Sequence, residues 1–448
     1  MHSIGDYIFD SERMIVYKAG ESQEFIDRIN TIYNCDDKFQ QTLSQLLTKN
    51  PDKMSMNKIA IDSAGICLTY NCNLRCTYCS NSSGNTDRHR LEIQDIILFL
   101  KDIIRKKIIK KLLTKSNSPL NLYFTGGGEP TYEWELLKQS IEFIKDECTR
   151  NNIPYKMGIT TNGMLNIDQI DFIAENFSHI MISYDGLPDI QNSNRISPIQ
   201  SSTNDIVENT IKTISKKGIS MTIRTTVWKD DFCKMRRMYD HVFSLLSKNA
   251  KVKWSIYPTL YEGRALDRVN DPTEQTYKNF LYYYTALIDY IILTKGKEKI
   301  SEIEAPIYNN DLCDLFCGAY RGNNPWLLPD KSIVTCIESK ENKTRIGMIK
   351  EGQIEYFKIY KDDLLRIIQK KYSKCRGCIA YRFCRGGCPV WDMRKANQNI
   401  DAPECIAQKE YWNYVIEAAL LGKYSFGWRL EKVSITNFEE HEVYELVN

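Results

Sequence analysis

The chain has 448 residues, of which 42% are hydrophobic and 26% are charged, and its formal net charge at pH 7 is +3. This composition is ordinary for a globular protein and predicts roughly three domains, each large enough to bury a core. So small a net charge gives no electrostatic support for a nucleic-acid partner. No apolar run is long enough to predict a membrane span.

Fifteen cysteines occur in a chain whose start carries no secretory signal, since residues 1–6 have neither a basic region nor an apolar core. In a reducing compartment, clustered cysteines are metal ligands more often than disulfide partners. The odd total also argues against a closed set of disulfides. We therefore expect a cytoplasmic protein with metal centres, and with neither a membrane nor a nucleic-acid partner.

Residues 1–60 predict a small N-terminal α+β domain. Two short strand patterns, at 7–9 and 14–17, flank a turn-like stretch and indicate a hairpin. Helical patterns follow over 21–33 and 37–47. By size and order alone, this domain is either a packing extension of the next domain or a binding unit of its own.

Strand and helix patterns alternate from residue 61 to residue 262. Repeated β–α units imply a parallel sheet with helices outside it, and six such units predict a partial (β/α)6 barrel that is open on one side. The chain is therefore expected to have an α/β fold. The six predicted strands cover 65–70, 121–125, 156–161, 180–184, 220–228 and 253–258.

Cys72, Cys76 and Cys79 follow the first predicted strand with the spacing C-x3-C-x2-C. Three thiolates bind three irons of a [4Fe-4S] cluster and leave the fourth iron open, whereas a structural zinc site has four ligands, often in paired C-x2-C knuckles. The stretch Gly126-Gly127-Gly128-Glu129-Pro130 follows the second strand and lacks the spacing of nucleotide-binding loops. Because ligands bind beyond the carboxyl ends of parallel strands, an open iron beside this loop predicts chelation of a small molecule.

Eight further cysteines form a second set. Eight thiolates are enough for two fully ligated [4Fe-4S] clusters, and two zinc sites would use the same eight. The remaining Cys35, Cys67, Cys148 and Cys233 have no evident partners and are expected to be buried or incidental thiols. The second set is Cys313, Cys317, Cys336, Cys375, Cys378, Cys384, Cys388 and Cys405.

The first motif and its glycine-rich loop resemble those of radical S-adenosylmethionine (SAM) enzymes. The spacing Cys375-x2-Cys378-x5-Cys384-x3-Cys388, followed by Cys405, resembles the SPASM domain of members that modify peptides. The resemblance covers residues 61–405. It implies a radical SAM barrel over 61–300, a SPASM domain over 301–410, and a C-terminal helix and tail over 411–448.

The resemblance also implies three [4Fe-4S] clusters, the first of which binds SAM at its open iron. Lys331 stands where SPASM domains usually have glycine, a departure that affects a turn and not a ligand. The implied ligands of the first auxiliary cluster are Cys313, Cys317, Cys336 and Cys388, and those of the second are Cys375, Cys378, Cys384 and Cys405.

Residues of the SAM site are implied by the same resemblance. Arginine suits the SAM carboxylate because its planar fork makes two charge-assisted bonds, although a surface ion pair is the alternative for Arg195. Gln191 and Asn192 stand where relatives often carry His-Asp. The implied contacts are Gly127, Gly128 and Glu129 for the amino group, Ser183 and Arg195 for the carboxylate, and Tyr78 beside the adenine. Thr161, Asn162 and Gly163 are expected at the same opening, and Arg224 is a further candidate.

The activity that the resemblance implies is maturation of a ribosomally made peptide. Reductive cleavage of SAM would yield a 5′-deoxyadenosyl radical, which abstracts hydrogen from the peptide so that a thioether or carbon–carbon cross-link is installed. The residues indicate no catalytic acid or base. The implied partners are a precursor peptide with its leader and an electron donor such as flavodoxin or ferredoxin.

Residues 1–60 resemble the leader-binding winged-helix domain of many such enzymes, which favours a cross-linking maturase. One alternative is an anaerobic sulfatase-maturing enzyme, which forms formylglycine. Those enzymes typically carry an aspartate directly after the cysteine equivalent to Cys336, where this chain has Ile337 followed by Glu338. Another alternative is a peptide-binding iron–sulfur protein without turnover.

Overall fold

A computed structural model provides the structure of this protein. Cys35, Cys313, Cys317 and the predicted helix at 37–47 lie outside the residues that the structure describes. The described residues are 1–11, 14–32, 61–84, 86–87, 89–259, 263–267, 274–304, 324–338, 344–357, 375, 377–384, 388, 403–423, 429–432 and 443–447.

A ten-stranded sheet forms the centre of the molecule, in the order β13-β12-β11-β10-β4-β5-β6-β7-β8-β9. Strands β4 to β9 pair in parallel in sequence order, and among the described residues the sheet ends at β9 instead of closing on itself. This confirms the predicted α/β fold with a partial barrel. The six strands are β4 (Ser63–Ile66), β5 (Leu120–Phe124), β6 (Tyr155–Thr161), β7 (His179–Ser183), β8 (Ser220–Val227) and β9 (Val252–Pro258).

Helices connect these strands because their apolar residues recur at helical spacing and pack onto the sheet. In the helix after β5, for example, Leu137, Ile141 and Ile144 are all buried. A longer helix, α8, follows β9. The connecting helices are α2 (Ile93–Thr114), α3 (Trp134–Arg150), α4 (Ile167–Asn176), α5 (Pro188–Asn194), α6 (Asn204–Lys216) and α7 (Met235–Ser244), and α8 covers Glu274–Thr294.

The cysteine-rich region extends the same sheet. Strand β10 (Trp326–Leu327) pairs in parallel with β4, and an antiparallel meander continues outward from it. Gly65 has no side chain to obstruct this pairing, since a Cβ there would lie 2.0 Å from the ring of Trp326. The meander consists of β11 (Ser332–Val334), β12 (Arg345–Lys350) and β13 (Gln353–Tyr356).

A buried lysine of the barrel helix α2 makes a hydrogen bond to the meander. Lys106 of α2 is 2% exposed, and its Nζ lies 2.7 Å from Asp102 Oδ2. The same Nζ donates a hydrogen bond of 2.6 Å to the hydroxyl of Tyr356 on β13. A charge at such a depth is tolerated because both of its partners are in place.

The two ends of the chain share a second sheet, in the order β1-β2-β3-β15-β14. The predicted hairpin is confirmed as β2 paired with β3, and α1 (Gln23–Ile32) follows it. Strand β15 pairs antiparallel with β3, so the C-terminal tail completes the N-terminal unit. The strands are β1 (His2–Ile4), β2 (Tyr7–Asp10), β3 (Ile15–Lys18), β14 (Arg429–Lys432) and β15 (Val443–Val447).

Two further helices belong to the cysteine-rich region. A short helix, α9 (Tyr381–Cys384), lies against α10 (Pro403–Leu420), where the rings of Phe383 and Trp412 stack. The helix α10 also packs on α8. Within the described ranges, no helix has both the length and the apolar character needed to cross a bilayer.

Candidate active site

Cys72, Cys76 and Cys79 lie in an irregular loop beyond the carboxyl end of β4, and all three are free thiols. Backbone hydrogen bonds connect this loop to the end of α5 and to the segment that follows it. The N–H of Arg75 donates to Ile196 at 2.7 Å, and that of Thr77 donates to Asn194 at 2.8 Å. The motif is therefore held at the edge of the sheet where parallel strands place their ligands.

The surroundings of these thiols suit ligands of a cluster. Burial raises the pKa of Cys72 to about 12 and that of Cys76 to about 11, so a buried thiolate here needs a cation to balance its charge. N–H groups already point at the sulfurs, from Leu74 to Cys72 at 3.4 Å and from Ser83 to Cys79 at 3.3 Å. These thiols fit the iron–sulfur cluster that the spacing predicts.

A single metal ion fits less well. Among the described residues, no three side chains of His, Cys, Asp or Glu converge closely enough to hold one ion. A cubane cluster places each thiolate on a different iron, so its ligands stand farther apart than those of one zinc ion.

The glycine-rich loop after β5 packs directly on the cysteine loop. Gly126 and Gly127 have φ angles of +87° and +66°, which favour glycine. A Cβ on Gly128 would lie 1.9 Å from the carbonyl oxygen of Asn71, and the N–H of Glu129 donates to that oxygen at 2.9 Å. Glycine is therefore required here by close approach of the protein's own backbone, a reason that the sequence does not reveal.

Glu129 is buried, and its carboxylate joins two strand ends. It accepts hydrogen bonds from the hydroxyl of Thr131 at 2.8 Å, the hydroxyl of Thr161 at 2.8 Å and the N–H of Asn162 at 2.7 Å. Burial raises the pKa of Glu129, and these donors oppose that shift by stabilising the ionised form. Asn162 continues the connection, since its amide donates to Asn73 of the cysteine loop at 2.6 Å.

A cavity of about 280 Å³ opens beside Cys76 and Cys79. Tyr78, Ser183, Arg195 and Arg224 line it, as the sequence predicts for one site. The other predicted site residues do not line it, namely Gly127, Gly128, Glu129, Thr161, Asn162 and Gly163. Its other lining residues are Ser80, Thr160, Thr226, Tyr257, Pro258, Tyr277, Phe280, Glu338, Ala407 and Gln408.

Arg195 is paired with Asp185, a residue that the sequence does not predict for the site. The Nε of Arg195 donates to Asp185 Oδ1 at 3.0 Å, and the hydroxyl of Tyr78 donates to Oδ2 at 2.5 Å. Burial alone would lower the pKa of Arg195, but the adjacent carboxylate raises it well above its usual range. Arg195 is 6% exposed and Asp185 is fully buried, so the surface ion pair considered for Arg195 is wrong. Only the position of Asp185, two residues after Ser183, offered a signal.

Gln191 and Asn192, which replace the His-Asp of relatives, have structural contacts. The side chain of Gln191 accepts the N–H of Asp185 at 2.9 Å. Asn192 Oδ1 accepts the N–H groups of Thr203 and Asn204, each at 2.9 Å, where α6 begins. Both residues therefore hold the loop that carries Arg195.

Of the second cysteine set, six members lie within the described residues, and all six are partly buried. Five of them pack against the main hydrophobic core, namely Cys336, Cys375, Cys378, Cys384 and Cys388. Because Cys313 and Cys317 lie outside the described ranges, the assignment of eight ligands to two clusters stays a prediction. Lys331 adopts a φ of +65°, the left-handed conformation that explains glycine at this turn in SPASM domains.

The two residues after Cys336 lie in different surroundings. Ile337 packs on the glycine-rich loop, since a Cβ on Gly126 would lie 1.9 Å from its Cδ1. Glu338 instead lines the cavity. The position at which sulfatase-maturing enzymes carry aspartate is therefore apolar here, while a carboxylate occupies the next position.

Comparison with known proteins gives a family match and two related enzymes. Residues 66–242 match the model of the radical SAM superfamily. A cysteine-type anaerobic sulfatase-maturating enzyme of Clostridium perfringens is 22% identical over 366 residues, which cover 77% of this chain and 93% of that protein. An enzyme of the same name from Clostridium novyi is 24% identical over 71% of this chain and 85% of its own length.

Solved structures share the fold. Native anSMEcpe with bound AdoMet superposes with a TM-score of 0.58 at 21% identity, over 80% of this chain and 96% of that one. Streptococcus suis SuiB bound to its precursor peptide SuiA has a TM-score of 0.51 at 16% identity, over 90% of this chain and 98% of that one. Residues 66–242 of this chain are therefore a domain of the radical SAM superfamily, as the cysteine motif and its glycine-rich loop predict.

Proposed function

We propose that this protein is a radical SAM enzyme that acts on a ribosomally made peptide and installs a thioether or carbon–carbon cross-link. The observation that carries the proposal is the cavity, which brings Cys76 and Cys79 together with Ser183 and Arg195. When bound, the cluster and SAM supply one-electron cleavage of the sulfonium and a radical that takes hydrogen from an unactivated C–H bond.

The protein's part is to bind and orient SAM. The terminal nitrogens of Arg195 have no hydrogen-bond partner among the described residues, so they remain for a carboxylate, while Asp185 fixes the Nε side. Ser183 adds a hydroxyl at the same wall. The guanidinium carbon of Arg195 lies 5.3 Å from the centre of the Tyr78 ring. We propose that Tyr78 provides apolar surface for the adenine. Tyr78 and Arg195 are buried, which limits the access of water to this side of the site.

A peptide substrate is supported by the likeness to relatives that act on polypeptides. The SuiB structure contains a precursor peptide, and another structure of anSMEcpe contains a peptide called Cp18Cys. The cavity is walled by barrel strands and by Glu338, Ala407 and Gln408 of the cysteine-rich region. We propose that the leader binds the N-terminal sheet, in which β1 is an edge strand as far as the described residues go.

We propose that the second cysteine set binds two auxiliary [4Fe-4S] clusters and that a flavodoxin or ferredoxin reduces the SAM cluster. Fully ligated clusters have no open iron for SAM. Their expected roles are electron transfer and support of the substrate cavity.

Sulfatase maturation is the second candidate, because the relatives at 22% and 24% identity carry that name and because Glu338 lines the cavity. The contact of Ile337 with Gly126 favours cross-linking, since it fills with an apolar side chain the position where sulfatase-maturing enzymes carry aspartate.

The test of the proposed function is anaerobic reconstitution followed by incubation with SAM and dithionite. We expect 5′-deoxyadenosine from the natural protein and none from C76A. The matched control is C233S, which removes an exposed cysteine outside both motifs and should retain the activity. Purified protein that contains zinc without inorganic sulfide, or fully loaded clusters that release no 5′-deoxyadenosine, would refute the proposal.

The product distinguishes the two candidates. Short peptides encoded beside the gene are the first substrates to test, together with serine- and cysteine-containing sulfatase peptides. A cross-link removes two hydrogens and joins two residues, so fragmentation between them is suppressed. Formylglycine from serine also removes two hydrogens, but tandem mass spectrometry locates an aldehyde at one residue.

A further inference from the structure

Arg224 is a charged residue on the inner face of the barrel. On β8 its neighbours Ile223 and Thr225 are buried, and the hydroxyl of Thr225 donates to the carbonyl of Tyr184 at 2.7 Å. Because side chains alternate along a strand, Arg224 and Thr226 point to the opposite face, where both line the cavity. Arg224 is exposed there.

No acid among the described residues neutralises the charge of Arg224. In the described part of the chain, no carboxylate oxygen lies within 4.0 Å of its guanidinium. The other arginine of the cavity, Arg195, differs in this respect, since it is paired with the buried Asp185. An arginine that faces a cavity and has no acid within 4.0 Å among the described residues offers its guanidinium to an anionic group of a ligand.

Tyr257 orients this cation. The guanidinium carbon of Arg224 lies 5.2 Å from the centre of the Tyr257 ring, which belongs to the next strand, β9. The ring attracts the cation electrostatically, and the planar fork of a guanidinium matches a carboxylate with two parallel hydrogen bonds.

The wall around Arg224 suits a peptide. Tyr257, Pro258, Tyr277 and Phe280 provide aromatic and apolar surface, and Thr226 adds a hydroxyl. Such a wall can pack against the side chains and backbone of a bound peptide, and a single charged group then fixes the orientation of that peptide. The same cavity is also lined by Tyr78, Ser183 and Arg195, which are the proposed SAM contacts.

We propose that Arg224, supported by Tyr257, binds a carboxylate of the peptide substrate and thereby sets its position beside SAM. The carboxylate belongs either to an Asp or Glu side chain or to the C-terminus of the peptide. This inference rests on the proposed function, because it assumes that a peptide enters the cavity.

The experiment uses three synthetic probes on the reconstituted protein with SAM bound. They are Ac-Gly-Ser-Cys-Glu-Ser-Gly-NH2, the same peptide with Gln in place of Glu, and the Gln peptide with a free C-terminal carboxylate. Dissociation constants are measured by calorimetry, which needs no turnover. We expect at least one carboxylate probe to bind about fivefold or more tightly than the neutral probe, and the tighter of the two identifies the carboxylate source.

Substitution then assigns the preference to Arg224. In R224Q the ratio of dissociation constants should fall to about one, and R224K, which keeps the charge without the planar fork, should retain part of it. The matched control is R236Q, since Arg236 also lies over a tyrosine, Tyr290, at 5.8 Å, but outside the cavity. This control should keep the full preference. If R224Q does not fold, R224K carries the test.

Two outcomes would overturn the inference. The natural protein could bind the three probes equally, or R224Q could keep the preference while its affinity for SAM falls tenfold, which would assign Arg224 to SAM. Failure of the proposed function is a separate result, namely absence of 5′-deoxyadenosine release from the natural protein.

Discussion

Asp185 connects two side chains of the proposed SAM site. Its two carboxylate oxygens accept hydrogen bonds from Arg195 and from Tyr78, which stands between two cysteines of the first motif. Since Asp185 does not itself line the cavity, it acts by positioning the other two. It also neutralises an arginine that is almost completely buried.

We predict that D185N weakens SAM binding by tenfold or more and lowers the thermal unfolding temperature. Removing one partner of a buried ion pair costs about 3–5 kcal/mol, because the other charge remains buried and unpaired. Calorimetric titration with SAM and thermal unfolding of the reconstituted protein provide the measurements.

The matched control is Y78F, which removes one hydrogen bond but keeps the aromatic ring and the ion pair. Its cost should be about 1.5–3 kcal/mol, the usual value for a hydrogen bond to a charged group. Iron and sulfide content should stay unchanged in both variants. SAM affinity in D185N equal to that of the natural protein would show that Asp185 has no positioning role.

At the scale of elements, the glycine-rich loop lies between the cysteine loop and the segment after β11. Gly126 touches Ile337 on one side, and Gly128 touches the backbone of Asn71 on the other. The loop therefore contacts both the cysteine-rich region and the first cysteine motif.

We predict that G126A is strongly destabilising and that I337A partly rescues it. An alanine at a φ of +87° is strained by roughly 1–2 kcal/mol, and its methyl group would also collide with Ile337 Cδ1 at 1.9 Å. In the double variant the collision is absent and only the strain remains. Chemical denaturation of the four proteins measures this coupling, and strictly additive effects would contradict the proposed contact.

At the scale of the whole molecule, the two chain ends stabilise each other. Strand β15 covers the edge of β3, with Tyr444 opposite Val16, and β14 pairs with β15 in turn. An uncovered strand edge exposes unpaired N–H and C=O groups. The N-terminal sheet therefore depends on residues more than four hundred positions away.

We predict that truncation after residue 442 accelerates hydrogen exchange in β2 and β3 while β5 to β8 stay protected. Loss of β15 frees the β3 edge, whereas the barrel strands keep their neighbours. Hydrogen exchange measured by mass spectrometry gives the exchange rates of both sets of strands. A chain that lacks only Asn448 is the control. Unchanged protection of β3 would contradict the pairing.

Local sequence patterns predict much of the fold and of the first cysteine motif. The alternation of strand and helix predicts the barrel, because each element's periodicity lies within its own residues. The spacing of Cys72, Cys76 and Cys79 predicts a cluster with one open iron, because ligand number follows from the sequence directly. The lysine at position 331 predicts a departure at a turn, and its φ of +65° agrees with that interpretation.

Other features depend on residues that meet only in the folded chain. No local pattern pairs β15 with β3, inserts Trp326 over Gly65 or joins Asp185 to Tyr78, 107 positions away. The sequence by itself determined the kind of barrel and its cluster motif, since these arise from spacing and periodicity. The tertiary structure decided which charges are neutralised and which remain open to a ligand, because that depends on distances between segments remote in the chain.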